Sequence, residues 1–192
     1  MSETLRLFFA ASVPSPLLDS VQERLADLKS ALPQARWTAP AHQHLTCKFL
    51  GATPADRLEE VARTGAAVAR ERREAAVALS NLGAFPSARR ARVLWLGVDD
   101  PAGVLTGLAE GLGDALEPLG FAAEARVFTP HLTLARFKSS VQLSSLCALD
   151  TGGLPPFEVS ELVLWRSHLS PKGARYERLE TLPLGRLSSG RE

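Results

Sequence analysis

The sequence predicts a single domain of the α+β class, and three observations support this. The chain has 192 residues, of which 45% are hydrophobic and 22% charged, a composition typical of a globular protein and unlike that of a disordered chain. Segments with the periodicity of strands alternate with segments that have the periodicity of helices. No low-complexity linker divides the chain, so residues 1–192 are expected to form one unit.

The first half of the chain predicts two strands and two helices. A short apolar run with aromatic residues is typical of a buried strand, and it ends before Pro14. Apolar residues spaced three and four apart then indicate a helix that Pro33 stops, and a later strand ends at Gly51. The predicted elements are a strand over residues 5–11, a helix over 15–31, a connector over 37–40, a strand over 44–50 and a helix over 57–73.

The second half adds strands around a single helix. Three glycines inside that helix make its ends hard to place. The predicted elements are strands over residues 77–85 and 93–98 joined by an arginine-rich segment, a helix over 101–119, a strand over 133–137, a loop over 138–156, and two strands over 157–169 and 176–182 around a turn at 170–173. The whole chain therefore has about three helices and seven strands, a mixed α and β pattern.

Charge and hydropathy limit the possible partners. The 22 basic and 21 acidic residues leave a net charge of +1, so any contact with nucleic acid has to be local. No apolar run approaches the roughly 20 residues that span a bilayer. Glu3 and Arg6 make the N-terminus a poor signal peptide. We expect a soluble, cytoplasmic protein without a membrane contact or an obligate protein partner.

The two cysteines, Cys47 and Cys147, lie far apart in the sequence, without a Cys-x-x-Cys pair or a histidine at the spacing of metal ligands. This pattern favours two buried, reduced thiols over a zinc site or a disulfide framework.

A short motif occurs twice. Residues 44–46 and 131–133 both read His-Leu-Thr, each follows a proline, and each begins a predicted strand with a basic residue and a phenylalanine soon after. The order of helix and then strand before each copy is the same. Duplication of a half-domain therefore explains the repeat better than chance does, with one motif around 44–47 and the other around 131–134.

Strand geometry indicates what the repeat can do. Side chains alternate between the two faces of a strand, so His44 and Thr46 share one face, as do His131 and Thr133. If a pseudo-twofold axis relates the halves, both pairs face one cleft. One imidazole can act as a base and the other as an acid, while the hydroxyls bind phosphate oxygens. Neither motif contains a carboxylate, so the pattern predicts phosphodiester cleavage without a metal or cofactor.

The remaining histidines, His42 and His168, lack this context. We expect His42 in the loop before the first motif and His168 near a strand end, both as structural or surface residues.

With its two His-x-Thr motifs and several further segments, the sequence resembles the 2H phosphoesterase superfamily, and is most similar to the RNA 2′,3′-cyclic phosphodiesterases, also called 2′-5′ RNA ligases. The sequence departs from the family at Cys47, where the family usually has an aliphatic residue. The Cys47 side chain is expected to point away from the site. The matching segments, in order along the chain, are Arg6-Leu7-Phe8, Trp37, the two motifs with Lys48-Phe49-Leu50-Gly51 after the first and Leu134-Ala135-Arg136 after the second, Leu82-Gly83-Ala84-Phe85-Pro86, Val93-Leu94-Trp95-Leu96-Gly97 and Gly173-Ala174-Arg175-Tyr176.

The resemblance implies a fold and a set of roles. The fold is bilobal and pseudo-twofold, with an antiparallel sheet in each lobe, helices outside and the site in the cleft between them. His44 is implied as the proton donor and His131 as the proton acceptor that activates water. Thr46 and Thr133 are implied to bind phosphoryl oxygens. Arg136 is implied to add positive charge near the phosphate, although a regular strand would point it away from His131.

The implied reaction is hydrolysis of a 2′,3′-cyclic phosphate end of RNA, or of a nucleotide, to a 2′-phosphate, and the resemblance also implies reversible 2′-5′ RNA ligation. Three alternatives stay open: a non-catalytic nucleotide- or RNA-binding module using the same cleft, a cysteine hydrolase using Cys47 with His44, and action on another cyclic phosphate, such as one from ADP-ribose. Residues available for RNA binding, which could instead be solvated or packed inward, are Arg89, Arg90, Arg92, Trp37 and Tyr176.

Overall fold

The computed structural model describes residues 3–124, 126–143, 153–170 and 173–185, which form four helices and nine strands. The helices are α1 (Ser15–Arg24), α2 (Ala26–Ala31), α3 (Leu58–Glu71) and α4 (Val104–Leu116). The strands are β1 (Thr4–Ala11), β2 (Arg36–Trp37), β3 (Leu45–Pro54), β4 (Ala75–Phe85), β5 (Ala91–Asp99), β6 (His131–Val141), β7 (Phe157–Val159), β8 (Glu161–Ser170) and β9 (Gly173–Pro183).

The strands form two antiparallel sheets. The four-stranded sheet has the order β3-β1-β8-β9, and the five-stranded sheet has the order β2-β6-β5-β4-β7. Every pairing between neighbouring strands is antiparallel. The predicted α+β class with antiparallel sheets is therefore confirmed.

The two sheets have equivalent connections around the motifs. In the four-stranded sheet the chain leaves β1, passes through α1 and α2 and returns beside β1 as β3, which carries the first motif. In the five-stranded sheet it leaves β5, passes through α4 and returns beside β5 as β6, which carries the second motif. The motif strands thus occupy corresponding positions, and they contact each other where the sheets meet.

Helices cover the faces of the sheets that point away from the motifs. α3 packs on the four-stranded sheet, and Gly65 lies so close to the buried ring of Phe9 that a Cβ atom there would be 2.5 Å from it. α4 packs against α3 and β3 through a fully buried stripe that includes Leu105, Leu108 and Leu112. The absence of a side chain at Gly65 therefore sets how closely α3 approaches β1. No helix in the described ranges is long and apolar enough to cross a membrane.

Some predicted boundaries were wrong. The predicted first helix is divided at Leu25, where ψ is 1°. The strand predicted to end at Gly51 continues to Pro54, because Gly51 adopts a φ of +70° within a bulge opposite β1. The predicted connector contains β2, and the predicted loop after the second motif begins as β6, which extends to Val141. The remainder of that loop at 144–152, with Cys147, and the turn residues 171–172 lie outside the described residues.

Candidate active site

The two motifs face one cleft. Its volume is about 510 Å³, and both sheets contribute to its walls. All five residues proposed from the sequence line it, namely His44, Thr46, His131, Thr133 and Arg136. The other lining residues are Arg6, Leu7, Phe8, Thr38, His42, Gln43, Phe49, Gly51, Ser167, Leu169, Ala174 and Tyr176.

A β-bulge in each motif strand explains why Arg136 belongs to this group. On β6, Thr133 lies opposite Trp95 while Ala135 lies opposite Leu94, so Leu134 is an extra residue in the ladder. Leu134 and Ala135 are both buried, and the strand resumes its alternation one residue out of phase. Arg136 therefore faces the cleft, which corrects the expectation that it would point away.

The first motif has the same irregularity. Thr46 lies opposite Ala10 and Lys48 opposite Phe9, so Cys47 is the extra residue. Cys47 and Lys48 are both buried, and Phe49 returns to the cleft at the position that Arg136 occupies in the second motif. The same type of β-bulge thus directs the ring of Phe49 into one side of the cleft and the guanidinium of Arg136 into the other.

His44 is held among aromatic rings. Its ring lies 4.7 Å from that of Phe8, 5.1 Å from Tyr176 at 85°, and 6.2 Å from Trp165. Burial lowers the pKa of His44 from 6.5 to about 4, against the effect of a hydrogen bond with the His42 backbone. Electrostatic interactions with His42, Arg136 and His131 lower the pKa of His44 further, so its ring is neutral at pH 7.

His131 has a matching arrangement. Its Nδ1 lies 2.7 Å from the carbonyl oxygen of Thr129, which can only accept, so Nδ1 carries the proton and Nε2 is the unprotonated nitrogen of the neutral ring. Burial is the main cause that lowers the pKa of His131, and the charge of Arg136 adds to it. The rings of Phe85 and Trp95 lie 5.0 and 6.0 Å away. Each motif histidine thus forms a hydrogen bond with the backbone of the residue two positions before it.

A glycine allows the packing beside His131. Gly83 on β4 lies opposite Trp95 on β5, and a Cβ atom at Gly83 would be 2.1 Å from the indole. No side chain other than hydrogen fits there without moving Trp95. Gly83 therefore belongs to the support of the site although it does not line the cleft.

Sequence reasoning missed several cleft residues. His42, expected as a structural or surface residue, lies in the cleft wall with its ring 5.3 Å from that of Tyr176. Its position two residues before His44 is the signal that could have identified it. Tyr176, which the sequence indicated as available for RNA binding, contacts His44 and faces the cleft rather than the core. His168 lies outside the cleft as expected, with Nε2 2.6 Å from Oε2 of Glu177.

Other proposed binding residues lie elsewhere. Trp37 is half-buried against the hydrophobic core, so it packs inward. Arg89, Arg90 and Arg92 are exposed and do not line the cleft. Within the described ranges, no group of three or more His, Cys, Asp or Glu side chains is arranged to hold a metal ion.

Cys47 does not fit the role of a nucleophile. The residue is 4% exposed, and its thiol packs in the core, 3.7 Å from the carbonyl oxygen of Leu45. Burial raises its pKa to about 12, so the thiolate is negligible at neutral pH. The cysteine-hydrolase alternative is therefore wrong.

Comparisons with known proteins agree with this geometry. A family model described as LigT-like phosphoesterase matches residues 13–95 and 96–176, and each segment contains one motif. An RNA 2′,3′-cyclic phosphodiesterase of Geobacillus stearothermophilus is 30% identical over 187 residues, 96% of this chain, which spans only 59% of that relative's length. The RNA 2′,3′-cyclic phosphodiesterase of Methanothermobacter thermautotrophicus is 32% identical over 94% of this chain and 99% of the relative.

Solved structures of a LigT protein are also similar to this chain. The chain matches E. coli LigT in its apo form with a TM-score of 0.81 and 27% identity, over 96% of this chain and 99% of that one. It matches E. coli LigT complexed with 3′-AMP with a TM-score of 0.82 and 27% identity, over 95% and 99% of the two chains.

Proposed function

The chain belongs to the family of LigT-like phosphoesterases, and we propose that it is an RNA 2′,3′-cyclic phosphodiesterase that opens the cyclic phosphate at an RNA 3′ end with water. The observation that supports this most directly is that both histidines and both threonines of the motifs line one cleft, with Arg136 beside them. A cyclic phosphodiester needs a base for the attacking water and an acid for the leaving oxygen, and the cleft offers one imidazole from each sheet.

In this proposal His131 is the base. Its Nδ1 proton is bonded to the Thr129 carbonyl, which leaves Nε2 free to accept a proton from water. The oxygen of that water forms a bond to phosphorus while the bond between phosphorus and the 3′ oxygen breaks. The 3′ oxygen takes a proton from His44, and the products are a 2′-phosphate and a 3′-hydroxyl. Ligation to a 2′-5′ linkage would follow the same course with the 5′-hydroxyl of a second RNA strand in place of water. His131 takes the proton of that hydroxyl, its oxygen bonds to phosphorus, and the departing 3′ oxygen again takes a proton from His44.

Three other residues bind the phosphoryl group in this proposal. The hydroxyls of Thr46 and Thr133 each lie two residues beyond a motif histidine on the cleft face, so they can donate to the two non-bridging oxygens. The guanidinium of Arg136 offers paired donors and a fixed positive charge. Such fixed donors stabilise charge that develops on the oxygens as the pentavalent transition state forms.

The names of the relatives and of one solved complex support this substrate. The curated relatives are RNA 2′,3′-cyclic phosphodiesterases, and E. coli LigT was crystallised with 3′-AMP, a nucleotide with a phosphate on the ribose. A cleft of about 510 Å³ suits a nucleotide rather than a folded nucleic acid.

The test is product analysis on an oligonucleotide ending in a 2′,3′-cyclic phosphate, in excess chelator. We expect a 2′-phosphate as the product. His44→Ala and His131→Ala should each lower kcat by about 10²- to 10⁴-fold, while His168→Ala, which removes an imidazole outside the cleft, should keep the wild-type rate. Tight binding of the oligonucleotide without turnover would instead support the non-catalytic module.

A second substrate separates the acid from the base. An aryl phosphodiester has a leaving group that departs without a proton, so it needs the base but not the acid. His44→Ala should therefore lose much less activity on the aryl ester than on the cyclic phosphate, whereas His131→Ala should lose similar factors on both. The opposite pattern would exchange the two roles.

A further inference from the structure

A row of basic side chains leads out of the cleft along the five-stranded sheet. Arg36 on β2 lies directly opposite Arg136 on β6, and their neighbours in the register, Trp37 and Ala135, occupy the other face. Lys138 follows two residues after Arg136, with the buried Phe137 between them. Arg36, Arg136 and Lys138, here called the basic strip, are all exposed. Arg136 lines the cleft, and Arg36 and Lys138 lie next to it outside the cleft.

The basic strip has no acidic partner among the described residues. The ion pairs of that part of the chain involve other groups, such as Arg57 with Glu60 and Arg166 with Glu3. Like charges directly opposite each other in an antiparallel pair are destabilising, as for Arg36 and Arg136. Because the whole chain has a net charge of only +1, this accumulation is a local feature and not a general property of the surface. An anion lying across the strip would remove the repulsion.

Basic residues continue beyond the strip. Arg92 on β5 donates from Nη1 to the carbonyl oxygen of Lys138. The turn at Ala88–Arg90 places two more exposed arginines there, and its first carbonyl oxygen accepts a hydrogen bond from the backbone of Leu143, just past the end of β6, at 2.7 Å. The positive surface therefore extends from the cleft along β6, away from His131.

We propose that the basic strip binds the phosphate backbone of the RNA strand on the 5′ side of the cyclic phosphate. This inference rests on the proposed function, because a 2′,3′-cyclic phosphate ends the strand and the chain can leave the cleft only toward its 5′ side. A strand rises at most about 3.4 Å per residue, so Lys138 lies within about 7 Å of Arg136 along β6, whose pairing with β5 shifts register between Arg136 and Val141. Cations spaced along a strand fit a polyanion with repeated charges, and guanidinium groups bind phosphate oxygens in pairs.

The test compares two double variants that remove the same charge. Arg36→Gln/Lys138→Gln neutralises the two members of the strip outside the cleft. The matched control, Arg63→Gln/Arg70→Gln, neutralises two exposed arginines on α3, which covers the opposite face of the four-stranded sheet. For each protein, kcat/KM is measured on a pentanucleotide ending in a 2′,3′-cyclic phosphate and on a nucleoside 2′,3′-cyclic phosphate.

We expect the ratio of the two kcat/KM values to fall in the strip variant and to stay at the wild-type level in the control. Each lost phosphate contact on a single strand lowers the dependence of log K on log salt by about 0.7, so two contacts lower it by about 1.4. Raising the salt from about 50 to about 200 mM should then weaken pentanucleotide binding about 7-fold more in the wild type than in the strip variant. An unchanged ratio with an unchanged salt slope would overturn the proposal.

Binding of a fluorescent pentanucleotide that ends in a 2′-phosphate, which cannot react further with water, separates this inference from the proposed function. If no variant turns over either cyclic phosphate, the proposed function fails, and the anisotropy titration still reports whether the strip binds the strand. If all variants hydrolyse and bind the pentanucleotide alike, the strip has no such role although the proposed function stands.

Discussion

The pH dependence of kcat/KM tests the acid and base assignment most severely. Catalysis by two imidazoles requires one to be protonated while the other is neutral. In the free protein burial lowers the pKa of both His44 and His131, and that of His44 reaches about 4. The form of the protein that the proposed mechanism requires, with His44 protonated and His131 neutral, is therefore a minor one at neutral pH.

The size of the effect follows from the pKa of His44. At pH 7 a group with a pKa of about 4 is protonated in about one molecule in a thousand, and this fraction falls about tenfold for each further pH unit. kcat/KM should therefore decrease about tenfold per unit above pH 6.5, and it should level off once the pH falls below the pKa of His131.

A bound phosphate changes this balance. In the proposed complex its negative charge faces His44 and favours the protonated ring, and each unit by which the pKa rises above about 4 corresponds to about 1.4 kcal/mol of interaction. The alkaline limb of kcat, which reports the complex, should therefore lie at higher pH than that of kcat/KM.

The assay is initial-rate hydrolysis of a nucleoside 2′,3′-cyclic phosphate from pH 4 to pH 9 at constant ionic strength. The substrate phosphodiester does not titrate in this range, so the limbs belong to the protein. A value of kcat/KM that stays constant or rises between pH 6.5 and 8.5 would refute the reasoning, since no acid of lowered pKa would then be required. Arg136→Gln should move the limb to higher pH, because it removes a charge that lowers both pKa values.

Three further predictions concern the support of the site. When the pH is lowered from 7 to 4, His44 should reduce the free energy of unfolding by about 3 kcal/mol, because the ring is protonated below pH 6.5 in the unfolded chain but only near pH 4 in the folded protein. Urea denaturation at the two pH values should show this loss in the wild type and not in His44→Gln. Gly83→Ala should displace Trp95 and cost about 1–3 kcal/mol with a fall in kcat, whereas Gly113→Ala, with no atom near the added Cβ, should not destabilise the protein. Cys47 should resist alkylation in the native protein at pH 8, as checked by mass spectrometry, and rapid labelling would contradict its burial and its pKa of about 12.

Much of the fold followed from patterns that repeat along the chain. The periodicity of apolar residues identified all the longer strands, although the single strand predicted over 157–169 was wrong, because the chain divides there into β7 and β8, which belong to different sheets. The alternation of faces placed His44 with Thr46 and His131 with Thr133. These predictions succeeded because a period of two holds over three consecutive residues in any strand that is regular there. Both motifs are regular up to their threonine.

The predictions failed where the phase of a strand changes. A bulge depends on which residues of the partner strand form hydrogen bonds, and β1 and β5 are distant in sequence from their bulged partners. The sequence of one strand therefore gives no sign that Arg136 turns back into the cleft. The two-residue strand β2 was missed for a related reason, since Arg36–Trp37 is too short to show any period and exists only through its pairing with β6.

The matching bulges also bear on how a nearly symmetric scaffold supports two different roles. The backbone treats the motifs alike, with each histidine bonded to the carbonyl two residues before it, so the backbone alone does not distinguish an acid from a base. Side chains at equivalent positions break the symmetry. His44 lies among three aromatic rings. Phe49 follows it five residues later in the cleft wall, and Arg136 occupies the equivalent position after His131. In the proposed mechanism, the negative charge of a phosphate favours protonation of His44, and deep burial then makes the ring a ready donor of that proton to the leaving oxygen.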